Sequence, residues 1–169
     1  AGCRAAVVAD AQAIDLAAAR AIVDLRHLAL ASTELPLDGD RLRAPVASAL
    51  ALARAASASI PECVAFAWSK GEAAGVAGFA KALAREWSGS RVKSIRLDGA
   101  ADPQALARAI FDELAGTDAT VDATWIGGVR HVDELQPAPA GAGALPSRPV
   151  VAIAGGGRGL GARLALDLA

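Results

Sequence analysis

The chain has 169 residues, 54% of them hydrophobic and 21% charged, with a formal net charge of -1 at pH 7. This length and apolar content suffice for the core of one domain and part of another, and they exclude a disordered or fibrous protein. Because the net charge provides no long-range field for nucleic acid or an anionic membrane surface, we expect partners of neither kind.

Short apolar runs rich in β-branched residues alternate with segments of helical periodicity along the chain. This alternation predicts an α/β fold, an open parallel sheet covered by helices. Asp102 can cap a helix that begins at Pro103. The predicted strands are Arg4–Ala9, Ala21–Leu25, Glu62–Trp68, Val92–Leu97 and Val150–Ala154. The predicted apolar helix stripes are Pro45, Val46, Ala49, Leu50 and Ala53; then Val76, Phe79, Ala80, Leu83 and Trp87; then Leu106, Ile110 and Leu114.

A different pattern follows the last of these helices. Two short extended segments, Thr120–Trp125 and Val129–Val132, flank the pair Gly127-Gly128 and predict a β-hairpin. Residues 136–149 are rich in proline, alanine and glycine without periodicity, which predicts a linker. We therefore divide the chain into an α/β unit (1–135), the linker (136–149) and a final unit (150–169).

The final unit carries the strongest functional signal in the chain. A predicted strand, Val150–Ala154, precedes a glycine-rich turn and the start of a helix. Glycines let the backbone approach a pyrophosphate, whose charge then lies at the N–H groups and the positive end of the helix. The candidate cofactor-binding residues are Gly155, Gly156, Gly157, Arg158, Gly159, Leu160 and Gly161.

Two dinucleotide-binding spacings fit this turn. One is the ordinary Rossmann pattern Gly157-x-Gly159-x-x-Ala162. The other, Gly155-x-x-x-Gly159-x-Gly161, places its first glycine directly after the predicted strand, and we favour it. A P-loop is excluded because no lysine followed by serine or threonine comes after Gly161.

Arg158 lies inside the turn, where a guanidinium can bind a ribose 2′-phosphate bidentately and so favour NADPH over NADH. The alternative is a solvated surface arginine. The chain contains no tyrosine, which removes one common catalytic acid, and it shows no metal-ligand spacing. We assign no catalytic and no metal-binding residue within it.

The remaining chemistry-bearing residues favour structural or solvated roles. His27 and His131 are isolated from each other, and Lys70 follows a predicted strand without a neighbouring base or phosphate turn. Asp112-Glu113 is expected on the polar side of its helix. The early strand–helix junctions contain no glycine cluster, so the α/β unit has a nucleotide-binding shape without phosphate-binding turns. We expect its role to be structural.

Cysteine usage and hydropathy indicate the compartment. Cys3 and Cys63 form at most one pair, a poor disulfide framework for a core this apolar, so we expect both thiols to be reduced. The sequence contains neither a charge-free apolar stretch of membrane-spanning length nor the layout of a signal peptide. These features predict a cytoplasmic protein.

The order of elements resembles the ketoreductase domain of type I polyketide synthases. The helix that ends in Leu-Ala-Arg-Glu-Trp is closer to the reductases of polyunsaturated fatty acid and enediyne synthases. The resemblance covers most of residues 1–161. It is carried by Ile22–Leu25, Cys63–Trp68, Gly75–Trp87, Arg91–Asp98, Trp125–Val132 and Ala154–Gly161, with Ala154 where threonine is commoner in the family.

The resemblance implies a truncated Rossmann-like structural subdomain without cofactor, followed by the start of a catalytic subdomain of the short-chain dehydrogenase/reductase type. It implies reduction by NADPH of β-ketoacyl thioesters on an acyl carrier protein, with neighbouring synthase domains as further partners. The family's catalytic serine, tyrosine and lysine would lie beyond residue 169. We therefore expect a segment of a longer protein that is inactive alone. Two alternatives remain open: the scaffold half of an inactive reductase-like domain in a megasynthase, and an unrelated α/β domain fused to an NADP dehydrogenase.

Overall fold

The computed structural model of the chain describes residues 6–7, 16–28, 39–69, 71–98, 102–139 and 150–169. The chain divides into two compact units, Ala1–Glu134 and Leu135–Ala169. The first unit contains an α/β sheet, and the second contains the glycine-rich turn and one helix. The interpretation of the two parts as structural and catalytic subdomains stays a prediction.

Among the described residues of the first unit, four parallel strands and one antiparallel strand form a sheet. The strands are β1 (Ala21–His27), β2 (Cys63–Trp68), β3 (Arg91–Asp98), β4 (Asp122–Ile126) and β5 (Val129–His131), and the connecting helices are α1 (Gly39–Ala56), α2 (Gly75–Glu86) and α3 (Pro103–Ala115). Their spatial order is β1-β2-β3-β4-β5, with only β5 antiparallel to its neighbour. This is the predicted α/β class, with a truncated Rossmann-like sheet.

Helices cover both faces of this sheet. Val64 and Phe66 of β2 belong to the apolar cluster beneath α1 and α2, whereas Ala65 and Ala67 belong to a second cluster beneath α3. Because consecutive residues of a strand point to opposite faces, α1 and α2 cover one face of the sheet and α3 covers the other. We call these the α1/α2 face and the α3 face. Each parallel strand lies beside the preceding one, so the α3 crossover has the opposite hand to the first two.

The predicted helix stripes explain most of the core. The stripe of α2 is confirmed, and its Phe79 packs edge-on against Phe66 with ring centroids 5.7 Å apart. The buried face of α1 differs in part from its prediction: Leu50 is 36% exposed, while Leu52 and Ala56 are buried. The buried residues of α1 are spaced three or four residues apart, in keeping with the 3.6-residue helical period. A stripe drawn at i, i+4 spacing alone drifts away from this face along the helix.

Two local predictions are confirmed by backbone geometry. The Asp102 carboxylate accepts hydrogen bonds from the N–H groups of Gln104 and Ala105, at 3.1 and 3.2 Å, and so caps α3. The hairpin of β4 and β5 turns through Gly127 and Gly128, whose φ values of 57° and 82° are left-handed. A two-residue hairpin turn of the type I′ class requires positive φ at both positions, which glycine adopts at little cost.

Some predictions fall on residues that the structure does not describe. Of the predicted strand Arg4–Ala9, Ala6 and Val7 are described and have no strand assignment, and the other four residues lie outside the described part of the chain. Lys70, Cys3 and residues 140–149 also lie outside it. Residues 136–139 are exposed and form neither helix nor strand. None of the described helices is long and apolar enough to cross a membrane.

Candidate functional site

The glycine-rich turn forms in the second unit, and its helix α4 (Gly159–Leu168) starts inside it. Gly155 and Gly159 have φ values of 79° and 61°, in the left-handed region that a Cβ disfavours. Gly161 is required for a different reason: a Cβ there would overlap the carbonyl group of Gly155 and lie 3.2 Å from Gly156 Cα. The first turn of α4 therefore lies directly against the start of the glycine turn.

These requirements separate the two predicted spacings. The three positions that need glycine are those of the pattern Gly155-x-x-x-Gly159-x-Gly161. Gly157, the first glycine of the alternative pattern, has no positive φ, and a Cβ on it would meet nothing within 4 Å. The geometry therefore favours the spacing whose first glycine directly follows Ala154, while cofactor binding itself stays a prediction.

The strand predicted over Val150–Ala154 is not formed. Residues 150–153 have no regular structure, Ala154 begins the turn, and the side chains of Val150 and Val151 are exposed. A strand exists only through hydrogen bonds to a neighbouring strand, and no described residue pairs with this segment. The predicted apolar stripe of α4 is also largely exposed, with Leu160, Leu164 and Leu168 at 91%, 51% and 42%.

Arg158 is the N-cap residue of α4. Its backbone is extended, its side chain is exposed, and it makes no side-chain capping bond. The N–H groups of the first turn of α4 are therefore available as donors to an anion. Within the described residues Arg158 forms no hydrogen bond or ion pair, so its guanidinium is not committed to a protein carboxylate. The backbone and charge of this turn fit a pyrophosphate with an adjacent phosphate.

The sheet of the first unit has its own buried polar group on β1, where Asp24 at the middle of the strand pairs with Arg26 nearer its carboxyl end. Asp24 is 4% exposed and accepts hydrogen bonds from the Arg26 guanidinium at 2.8 and 2.6 Å. Burial alone would raise the pKa of Asp24, but the hydrogen bonds and the charge of Arg26 outweigh it and hold that pKa well below its ordinary value. Asp24 is thus an ionised carboxylate neutralised inside the fold.

The two histidines lie in different surroundings. His27 is 3% exposed, and its Nε2 lies 3.4 Å from Asp24 Oδ2 without a well-directed hydrogen bond. His131 is exposed on β5. Among the described residues no group of three His, Cys, Asp or Glu side chains is placed to hold a metal ion. Cys63 is a buried free thiol whose pKa is raised by burial.

Sequence reasoning missed a polar group on β2 and β3. Trp68 donates its Nε1–H to Ser94 Oγ at 2.9 Å, and the Arg96 guanidinium lies over the Trp68 ring, 5.6 Å from its centroid. Arg96 also pairs with Asp98 at 2.6 Å. The alternation of Ser94, Arg96 and Asp98 along β3 was the available signal, because alternate residues of a strand share one face.

The prediction that Asp112-Glu113 is solvated is wrong for Glu113, which is 2% exposed. Its carboxylate accepts hydrogen bonds from Arg130 at 2.6 and 2.8 Å, from Lys93 at 3.3 Å and from Trp125 at 3.3 Å. Burial alone would raise the pKa of Glu113, but the neighbouring Arg130 and Lys93 lower it below its ordinary value. The helix pattern does not contain this information, because the cations come from β3 and β5. The Glu113 cluster consists of Lys93, Glu113, Asp118, Trp125 and Arg130.

Comparison with protein-family models, curated protein sequences and solved structures gave no match to this chain. The class of protein is therefore defined by its own fold, an α/β protein with a truncated Rossmann-like sheet and a separate glycine-rich helix start.

Proposed function

We propose that this chain provides the structural subdomain and the start of the cofactor turn of a reductase that uses NADPH to convert β-ketoacyl thioesters on an acyl carrier protein into β-hydroxyacyl thioesters. The observation that carries the proposal is the turn Gly155–Gly161, in which three glycines are each required by backbone geometry in front of a helix without a side-chain cap. The ketoreductase resemblance supplies the reaction, and the α/β fold of the first unit supports it.

In this proposal the turn binds the pyrophosphate of NADPH through backbone N–H groups, and Arg158 binds the 2′-phosphate. NADPH held at the turn would supply the hydride that reduces the β-carbonyl carbon of the thioester. A tyrosine beyond residue 169 donates a proton to the resulting alkoxide, which yields the hydroxyl group. The first unit contributes packing, since Asp24 and Glu113 are both occupied by internal ion pairs.

The test uses the longer protein in which this sequence occurs, with an acetoacetyl thioester as substrate and NADPH oxidation as readout. Gly161→Ala places a methyl group on the Gly155 carbonyl and is expected to reduce kcat/KM for NADPH by about 100-fold, since angstrom-scale misplacement costs that much. Gly78→Ala, in α2, is the matched control, because its methyl group enters open space outside the turn. Equal loss in both variants would contradict the proposed turn.

Arg158→Ala tests the cofactor assignment separately. We expect a higher KM for NADPH and an unchanged KM for NADH, because only NADPH carries the 2′-phosphate. An equal change for both cofactors would refute the role of Arg158. NADPH binding without any thioester reduction by the longer protein would instead favour a scaffold, and thioester reduction by the 169-residue chain alone would refute the assignment of catalysis to residues beyond it.

A further inference from the structure

We draw no further inference here: the strongest candidate, the exposed apolar face that Leu160, Leu164 and Leu168 form on α4, carries none, because nothing in the described part of the chain shows what covers it.

Discussion

Glu113 is the residue whose removal should most destabilise the first unit. Its carboxylate compensates Lys93, whose side chain is 3% exposed, and Arg130, whose side chain is 31% exposed. In Glu113→Gln the buried ammonium of Lys93 keeps, among the described residues, the Asp118 carboxylate at 3.5 Å as a charged partner, together with the carbonyl oxygens of Asp118 at 3.4 Å and Thr120 at 2.7 Å. Removing one partner of a buried ion pair costs about 3–5 kcal/mol, because the other charge stays buried without compensation. Since Lys93 retains these contacts, we expect a loss near the lower limit, about 3 kcal/mol of unfolding free energy.

The assay is denaturant unfolding followed by tryptophan fluorescence and by far-UV circular dichroism. A loss of this size should also lower Tm by roughly 10 °C for a unit of this length. Asp112→Asn is the matched control, because its carboxylate is 48% exposed and lies 3.9 Å from Arg108, where ion pairs contribute little. If Glu113→Gln changes the unfolding free energy no more than Asp112→Asn does, the cluster does not stabilise the fold as argued.

A double-mutant cycle measures the interaction energy between Lys93 and Glu113. Lys93→Met alone should also destabilise, because Glu113 then loses one of its cations. Lys93→Met combined with Glu113→Gln should lower the unfolding free energy by less than the sum of the single changes. In the double variant both members of the pair are neutral, so neither leaves the other's charge buried without its partner. Additive losses would mean that the two side chains contribute independently.

Further predictions concern pH, capping and thiol chemistry. The folded-state pKa values of Glu113 and Asp118 are lowered, that of Asp118 to about 2 chiefly by hydrogen bonds from Thr120. Ionisation of these carboxyls therefore stabilises the fold at neutral pH, and this stabilisation is lost as pH falls below their ordinary pKa values of 4.5 and 3.8. Urea midpoints should therefore fall between pH 5 and 2, and a flat profile would contradict this. Asp102→Ala should cost about 1 kcal/mol in the same unfolding assay, because it removes both capping bonds of α3, and no measurable change would refute the cap. In a Cys3→Ser variant, Cys63 should react with a thiol reagent only on unfolding, because it is buried with a raised pKa, and rapid labelling of the native state would refute that burial.

The elements that sequence predicts best are those whose determinants lie close together in the chain. The Asp102 cap acts on backbone groups two and three residues away. The Gly127-Gly128 turn requires only that two adjacent residues tolerate positive φ. In both cases the residue type and its local conformation are coupled directly, so the pattern contains the needed information.

The features that sequence reasoning missed depend on contacts between distant segments. The pattern of α3 predicts a solvent-exposed side chain at Glu113. Its cationic partners Lys93 and Arg130 lie on strands, 20 and 17 residues away in the chain. The face covered by α3 is likewise set by what packs against Ala65 and Ala67, not by the periodicity of α3 itself. A single-sequence pattern predicts which residues of an element share a face, but not which other element covers that face.

Because its determinants lie close together in the chain, the glycine turn can be tested even though the strand before it is not formed. Positive φ at Gly155 and Gly159, and the contact that excludes a Cβ at Gly161, arise within seven residues of the chain and need no partner strand. The exposed Val150 and Val151 show that strand formation there requires a neighbour that the described residues do not provide. Since the geometry of the turn is local and the strand is not, Gly161→Ala, compared with Gly78→Ala outside the turn, probes the turn itself rather than the assembly of the sheet around it.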